Sequence, residues 1–91
     1  MADLKTYPDI AARLRRVREG FSDCNRKEWA KHHGFNPTQY TNWENGTRRI
    51  PIDAASALSA KYGLTLDWIY LGREDALSAT ARNAVSSSSQ N

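Results

Sequence analysis

The stretch Arg26-Lys27-Glu28-Trp29-Ala30-Lys31-His32-His33-Gly34-Phe35-Asn36-Pro37-Thr38-Gln39-Tyr40-Thr41-Asn42-Trp43-Glu44-Asn45 decides the fold. Asn25 stands immediately before it, and Asn25-Arg26-Lys27-Glu28 is a pattern that caps a helix reciprocally from its first and last residues. Asn36-Pro37-Thr38-Gln39 repeats the device, with Pro37 at the first helical position, where a missing N–H is harmless. Two helices are therefore expected, over 25–33 and 36–45, with only Gly34-Phe35-Asn36 between them. So short a turn makes two helices cross steeply rather than run antiparallel. The spacing fits that crossing: Ala30 is small where the helices approach, Gly34 makes the turn, and Tyr40 and Trp43 seat the second helix on a core.

Working outward, Gly20, Gly34, Gly46, Gly63 and Gly72 each follow a stretch of helical periodicity, where a left-handed cap is wanted. Asp9 to Glu19 carries Ile10, Leu14 and Val17 on one face. Ile52 to Tyr62 is rich in alanine, with Ala54, Ala55, Leu58 and Tyr62 forming a stripe. Leu66 to Leu71 is a short last helix with Thr65 as its cap. No segment alternates as a strand does. The expectation is an all-α domain of five helices over 1–72. Residues 73–91 read as a tail: 73–80 extend the last helix by about a turn, and the serine-rich remainder is disordered. No internal repeat is present.

Composition narrows the function classes. Of 91 residues 40% are hydrophobic, with three Trp, four Tyr and two Phe, enough for a core without staples. Cys24 is the only cysteine, so it forms neither an intramolecular disulfide nor a cysteine-based metal site. No stretch reads as a signal peptide or a membrane span, and a cytoplasmic protein is expected. Net charge is +3, but its distribution matters more. Residues 13–49 hold nine Lys/Arg against four acids, a net +5, whereas 1–12 and 50–91 each sum to −1. One part of the molecule is a basic surface suited to a polyanion.

The unit from Arg26 to Asn45, with Ala30, Gly34, Tyr40 and Trp43 in place, resembles the helix-turn-helix of the phage-repressor family (Cro/cI-like, Xre-type). The resemblance continues through Trp43-Glu44-Asn45-Gly46, Arg48-Arg49-Ile50-Pro51 and Tyr62-Gly63-Leu64-Thr65-Leu66-Asp67-Trp68-Ile69, covering about 10–72. It implies a lambda-repressor-like domain binding double-stranded DNA as a transcriptional regulator of bacterial or prophage type, a repressor rather than an activator. The chain departs from the family pattern at four places. Arg26 stands where Gln is usual, His33 where an apolar residue is usual, and Pro37 where many relatives carry a base-reading side chain. The loop from Gly20 to Cys24 is about one residue longer than is common.

By that resemblance the helix 37–45 enters the major groove, with Pro37, Thr38, Thr41 and Asn42 facing base edges. An Asn amide can pair bidentately with adenine, and Thr can meet a thymine methyl. Arg26, Asn36, Asn45, Arg48 and Arg49 are expected at phosphates, while Lys27 and Lys31 are read as solvated. Arg18 and Glu44 look like the family's structural ion pair, joining Ala30, Gly34, Tyr40 and Trp43 as structural residues. A homodimer on a pseudo-palindromic operator is implied, with Ile69, Tyr70 and Leu71 of the last helix as its surface.

Other classes fare less well. His32 and His33 are adjacent and cannot share a helix face, and no nucleophile–base or paired-carboxylate pattern accompanies them. No enzyme activity, metal, cofactor or small-molecule ligand is expected. Cys24 reads as a small buried hydrophobe. The aromatics Trp29, Tyr40, Trp43, Tyr62 and Trp68 recur at helical spacing and read as core rather than a base-stacking platform. The alternative is the same fold used as an antitoxin or protein-interaction adaptor, its tail folding on a partner.

Overall fold

A computed structural model describes residues 6–88. Among the described residues six helices follow one another: α1 (Pro8–Phe21), α2 (Arg26–His32), α3 (Pro37–Asn45), α4 (Ile52–Tyr62), α5 (Leu66–Leu71) and α6 (Ala79–Ser88). The described residues contain no strand, and the fold is all-α as expected. Local chemistry sets most of the boundaries. Asn25 Oδ1 accepts from the Glu28 amide at 2.9 Å, and Glu28 Oε1 accepts from the Asn25 amide at 3.3 Å, so both halves of the capping box form. Asn36 caps α3 through the Gln39 amide at 3.0 Å, and Thr65 caps α5 through the Trp68 amide at 3.0 Å. Gly34, after α2, has a φ of 74°, a left-handed conformation that only glycine adopts readily.

The core is the sum of the inner faces. Leu14 and Val17 of α1 meet Trp29 and Ala30 of α2, Tyr40 and Trp43 of α3, Ala55 and Leu58 of α4, and Trp68 and Ile69 of α5. Ala30 is fully buried, which is why the tight crossing of α2 and α3 needs a small residue there.

His33, one of the departures from the family pattern, is half-buried among Trp29, Phe35 and Tyr62. Its Nδ1 lies 2.7 Å from the Trp29 carbonyl and its Nε2 2.7 Å from the Tyr62 hydroxyl. The neutral imidazole satisfies both, donating from Nδ1 and accepting at Nε2. Burial holds its pKa below the ordinary histidine value, with Lys61 and His32 adding to the effect. A polar ring thus replaces an apolar one and pins the end of α2 to the end of α4. Cys24 is half-buried against the core rather than enclosed by it.

Two expectations are corrected. Gly20 does not cap α1, which continues to Phe21. And 79–88, in a tail expected to be disordered beyond about residue 80, form α6, which packs along α1. Leu77, Ala81 and Val85, four residues apart, are all buried and belong to the core cluster. Ser78 starts the helix, its hydroxyl accepting from the Ala81 amide at 3.0 Å while its own amide donates to the Gly63 carbonyl at 3.1 Å. The two corrections have one cause. A Cβ added at Gly20 would sit 2.4 Å from the Ala84 carbonyl oxygen, so Gly20 is where the α1 and α6 backbones meet. The segment after Gly72 does not extend α5; it turns back so that α6 joins the same core as 8–71. Residues 1–5 and 89–91, read as the start of the domain and the end of the tail, lie outside the described residues.

Truncation after Ala79, which the disordered-tail reading would have made harmless, is expected to destabilise the domain instead. Losing Ala81 and Val85 uncovers apolar surface on α1, a loss of about 2 kcal/mol on the usual value for buried aliphatic side chains. Thermal melts of the full and truncated chains should differ by about 10 °C; equal melts would mean α6 adds nothing.

Candidate nucleic-acid interface

α3 has two unlike sides. Tyr40, Trp43 and Glu44 are buried, whereas Thr38 and Gln39 are exposed and Thr41 and Asn42 half-exposed. Pro37, Thr38, Thr41 and Asn42 line one shallow groove of about 370 Å³ together with Lys27 of α2. A second groove, of about 360 Å³, lies between α3 and the following loop and is lined by Gln39, Asn42, Trp43, Arg48, Arg49 and Pro51. Asn42 lines both, so it sits at the centre of the surface. The four residues expected to face bases are therefore brought together. Lys27, expected from sequence to be merely solvated, and Gln39, expected only as part of the α3 cap pattern, join them. Their signal was positional: Gln39 stands three residues before Asn42 on the helix, and Lys27 enters only through the crossing of α2 over α3.

The loop after α3 is held tightly although its side chains are exposed. The Asn42 carbonyl accepts from the Thr47 amide at 3.1 Å and from the Thr47 hydroxyl at 3.2 Å. Ile50 is buried, and its carbonyl accepts from the Tyr70 hydroxyl. Arg48 and Arg49 thus project from an anchored backbone beside Asn42.

Beneath the face lies a buried carboxylate. Arg18 Nε and Nη2 reach the two Glu44 oxygens at 2.8 and 3.0 Å, a bidentate pair, and Arg18 Nη1 also donates to the Cys24 carbonyl at 3.0 Å. Donating to the Glu44 carboxylate raises the Arg18 pKa further above its already high value. Arg26 Nε adds a contact to Glu44 Oε1 at 3.2 Å, and the Tyr40 hydroxyl donates to Glu44 Oε2. Burial, and then the negative charge of Glu44, push the Tyr40 phenol far above its usual range, so it stays a donor. Arg26 also donates to Asn45 Oδ1 at 2.7 Å, so two residues expected at phosphates are partly occupied with each other. Asn36 is exposed and caps α3.

The surface expected between copies changes in composition. Ile69 is fully buried and Tyr70 half-buried, because its ring packs on the core. Leu71 is exposed, and the other large exposed hydrophobic among the described residues is Ile52 of α4. Ile52 and Leu71 line a groove of about 670 Å³ with Tyr7, Ile10, Arg49, Ile50, Pro51 and Tyr70. Among the described residues no three His, Cys, Asp or Glu side chains gather as metal ligands, and no helix is long and apolar enough to cross a membrane.

A family model described as helix-turn-helix matches residues 14–69. No curated protein and no solved structure matches the chain.

Proposed function

The chain belongs to the helix-turn-helix family of the Xre, Cro and cI type, and from that premise we propose that it docks α3 in the major groove of an operator. Sequence-specific DNA binding in transcriptional regulation is the activity the family supports. One observation carries the finer reading: the solvent side of α3, opposite Tyr40 and Trp43, gathers Thr38, Thr41 and Asn42 beside an anchored loop bearing Arg48 and Arg49. In this docking the Asn42 amide reads adenine by donating and accepting together. The Thr38 and Thr41 methyls and the Pro37 ring meet thymine methyls. Arg48 and Arg49 hold phosphates on one flank. Asn36, Asn45 and the exposed part of Arg26 do so at the ends of α3. Lys27 and Gln39 extend this surface.

One short helix reads few base pairs, so two copies are expected on a two-fold operator, meeting through the apolar patch of Ile52 and Leu71. Occupying an operator suffices for repression, whereas activation needs a further surface for the transcription machinery. Repression is therefore the mode proposed.

The test separates reading from holding. Asn42→Ala should weaken binding to the cognate site by about 1–3 kcal/mol yet leave random DNA nearly unaffected. Arg49→Ala should weaken both and make the salt dependence shallower by about one phosphate's worth. Titrations on cognate and scrambled duplexes at several salt concentrations give both answers. An unchanged cognate-to-scrambled ratio for Asn42→Ala removes its reading role. If neither variant alters DNA binding, the adaptor reading replaces this one.

A further inference from the structure

The segment leading into α1 is fastened to the loop that follows α3. The Tyr7 amide donates to the Gly46 carbonyl at 2.9 Å, and the Tyr7 carbonyl in turn accepts from the Ala11 amide at 2.9 Å. A Cβ on Gly46 would lie 3.4 Å from the Tyr7 carbonyl group, so the two backbones run in van der Waals contact. At this crossing the Arg49 guanidinium sits over the Tyr7 ring, 5.8 Å from its centroid. Both side chains line the same groove, beside Ile50, Pro51 and Tyr70.

We propose that Tyr7 is a positioning residue for Arg49, holding its guanidinium at the edge of the α3 face before DNA arrives. This rests on the reading of Arg49 as a phosphate contact. An exposed Arg samples many rotamers and loses them on binding, and a ring that already confines the group reduces that loss. The negative ring face attracts the cation without using up its N–H hydrogen bonds, which stay available to phosphate oxygens. The ring is itself fixed, because the Tyr7 backbone is tied at Gly46 to the end of the helix that Arg49 flanks. Through this contact the start of α1 and the end of α3 act as one clamp on the phosphate side chain.

The experiment uses the full chain with Tyr7→Leu and Tyr7→Phe, each alone and combined with Arg49→Ala. Its readouts are thermal melts, the NMR shifts of the Arg49 side-chain protons without DNA, and titrations of cognate and random duplexes across salt concentrations. Tyr7→Phe should keep the ring-current shift of Arg49 and the affinity. Tyr7→Leu should move the Arg49 resonances to those of an unstacked arginine and weaken both duplexes about threefold, in line with an exposed cation–π contact. The cognate-to-random ratio should hold, and Tyr7→Leu should have no effect once Arg49 is alanine. Unchanged Arg49 resonances in Tyr7→Leu overturn the proposal whatever DNA binding does. Equal weakening with and without Arg49 overturns it too, since the ring would then act through something else. If Arg49→Ala leaves binding intact, the phosphate role fails and the proposal falls with it. The resonance shift tells that failure from a ring that never held the guanidinium.

Discussion

Glu44→Ala should lower the stability of the domain by about 3–5 kcal/mol, the range for breaking a buried ion pair from one side. The Glu44 side chain is wholly enclosed, and Arg18 is only 12% exposed, so neither charge has water to fall back on. The carboxylate takes two contacts from Arg18, one from Arg26 and one from the Tyr40 hydroxyl. Its removal leaves the Arg18 guanidinium and the Tyr40 phenol desolvated without their main acceptor. Arg26 suffers less, since its side chain is 34% exposed and can turn to solvent. Urea denaturation should show the midpoint falling with little change in slope. A companion variant fixes the cause: Glu44→Met with Arg18→Met should recover much of the loss, because an apolar pair of similar volume removes both charges together. If Glu44→Ala alone unfolds at the parent midpoint, the network contributes nothing to stability.

Where function sits close in sequence, the chain can be read directly. The caps at Asn25, Asn36 and Thr65 and the left-handed glycines are one-turn features, and α2 to α5 emerge from them nearly to the residue. The face of α3 is legible for the same reason, because Tyr40 and Trp43 set the helix phase and so define Thr38, Thr41 and Asn42 as their opposite. Contacts between distant segments are another matter. Gly20 carries the same letter whether it caps a helix or admits a neighbouring backbone, and only the position of Ala84 tells which. α6 is hard to read from sequence because the buried stripe in it and just before it is narrow, Ala81 and Val85 with the preceding Leu77 among serines and alanines. That is too little to suggest burial until α1 is there to receive it. The resemblance places Arg26 beside phosphate, and its further partners within the protein are not legible from sequence. Its guanidinium folds back to Glu44 and Asn45, partners whose direction depends on the crossing angle. The resemblance alone puts Ile69 and Tyr70 at a surface between copies; α5 is apolar on more than one side, and packing turns Ile69 fully and Tyr70 partly inward.

Trp43→Ala should also remove about 3–5 kcal/mol, the usual range for deleting a large aromatic from a core. That is a large share of the stability of an ordinary domain, so the variant should be unfolded or close to it under mild conditions. Trp43 is 7% exposed and packs edge-on against Phe35 and Tyr40, with centroid separations of 5.5 and 5.8 Å. Phe35 belongs to the turn and Tyr40, like Trp43, to α3, so the indole ties α3 to the turn as well as filling space. Alanine would leave a cavity between them that neither ring can close without shifting α3. Trp43→Phe keeps a ring at the site and should lose much less, which separates the effect of volume from any loss of hydrogen bonding by the indole. Circular dichroism followed through urea reads both variants. The result bears on function as well as stability, since the phase that buries Trp43 is the one that turns Asn42 outward. If Trp43→Ala unfolds at the parent midpoint, Trp43 is not held in the core. α3 is then rotated, and the face of Thr38, Thr41 and Asn42 is not the one presented to DNA.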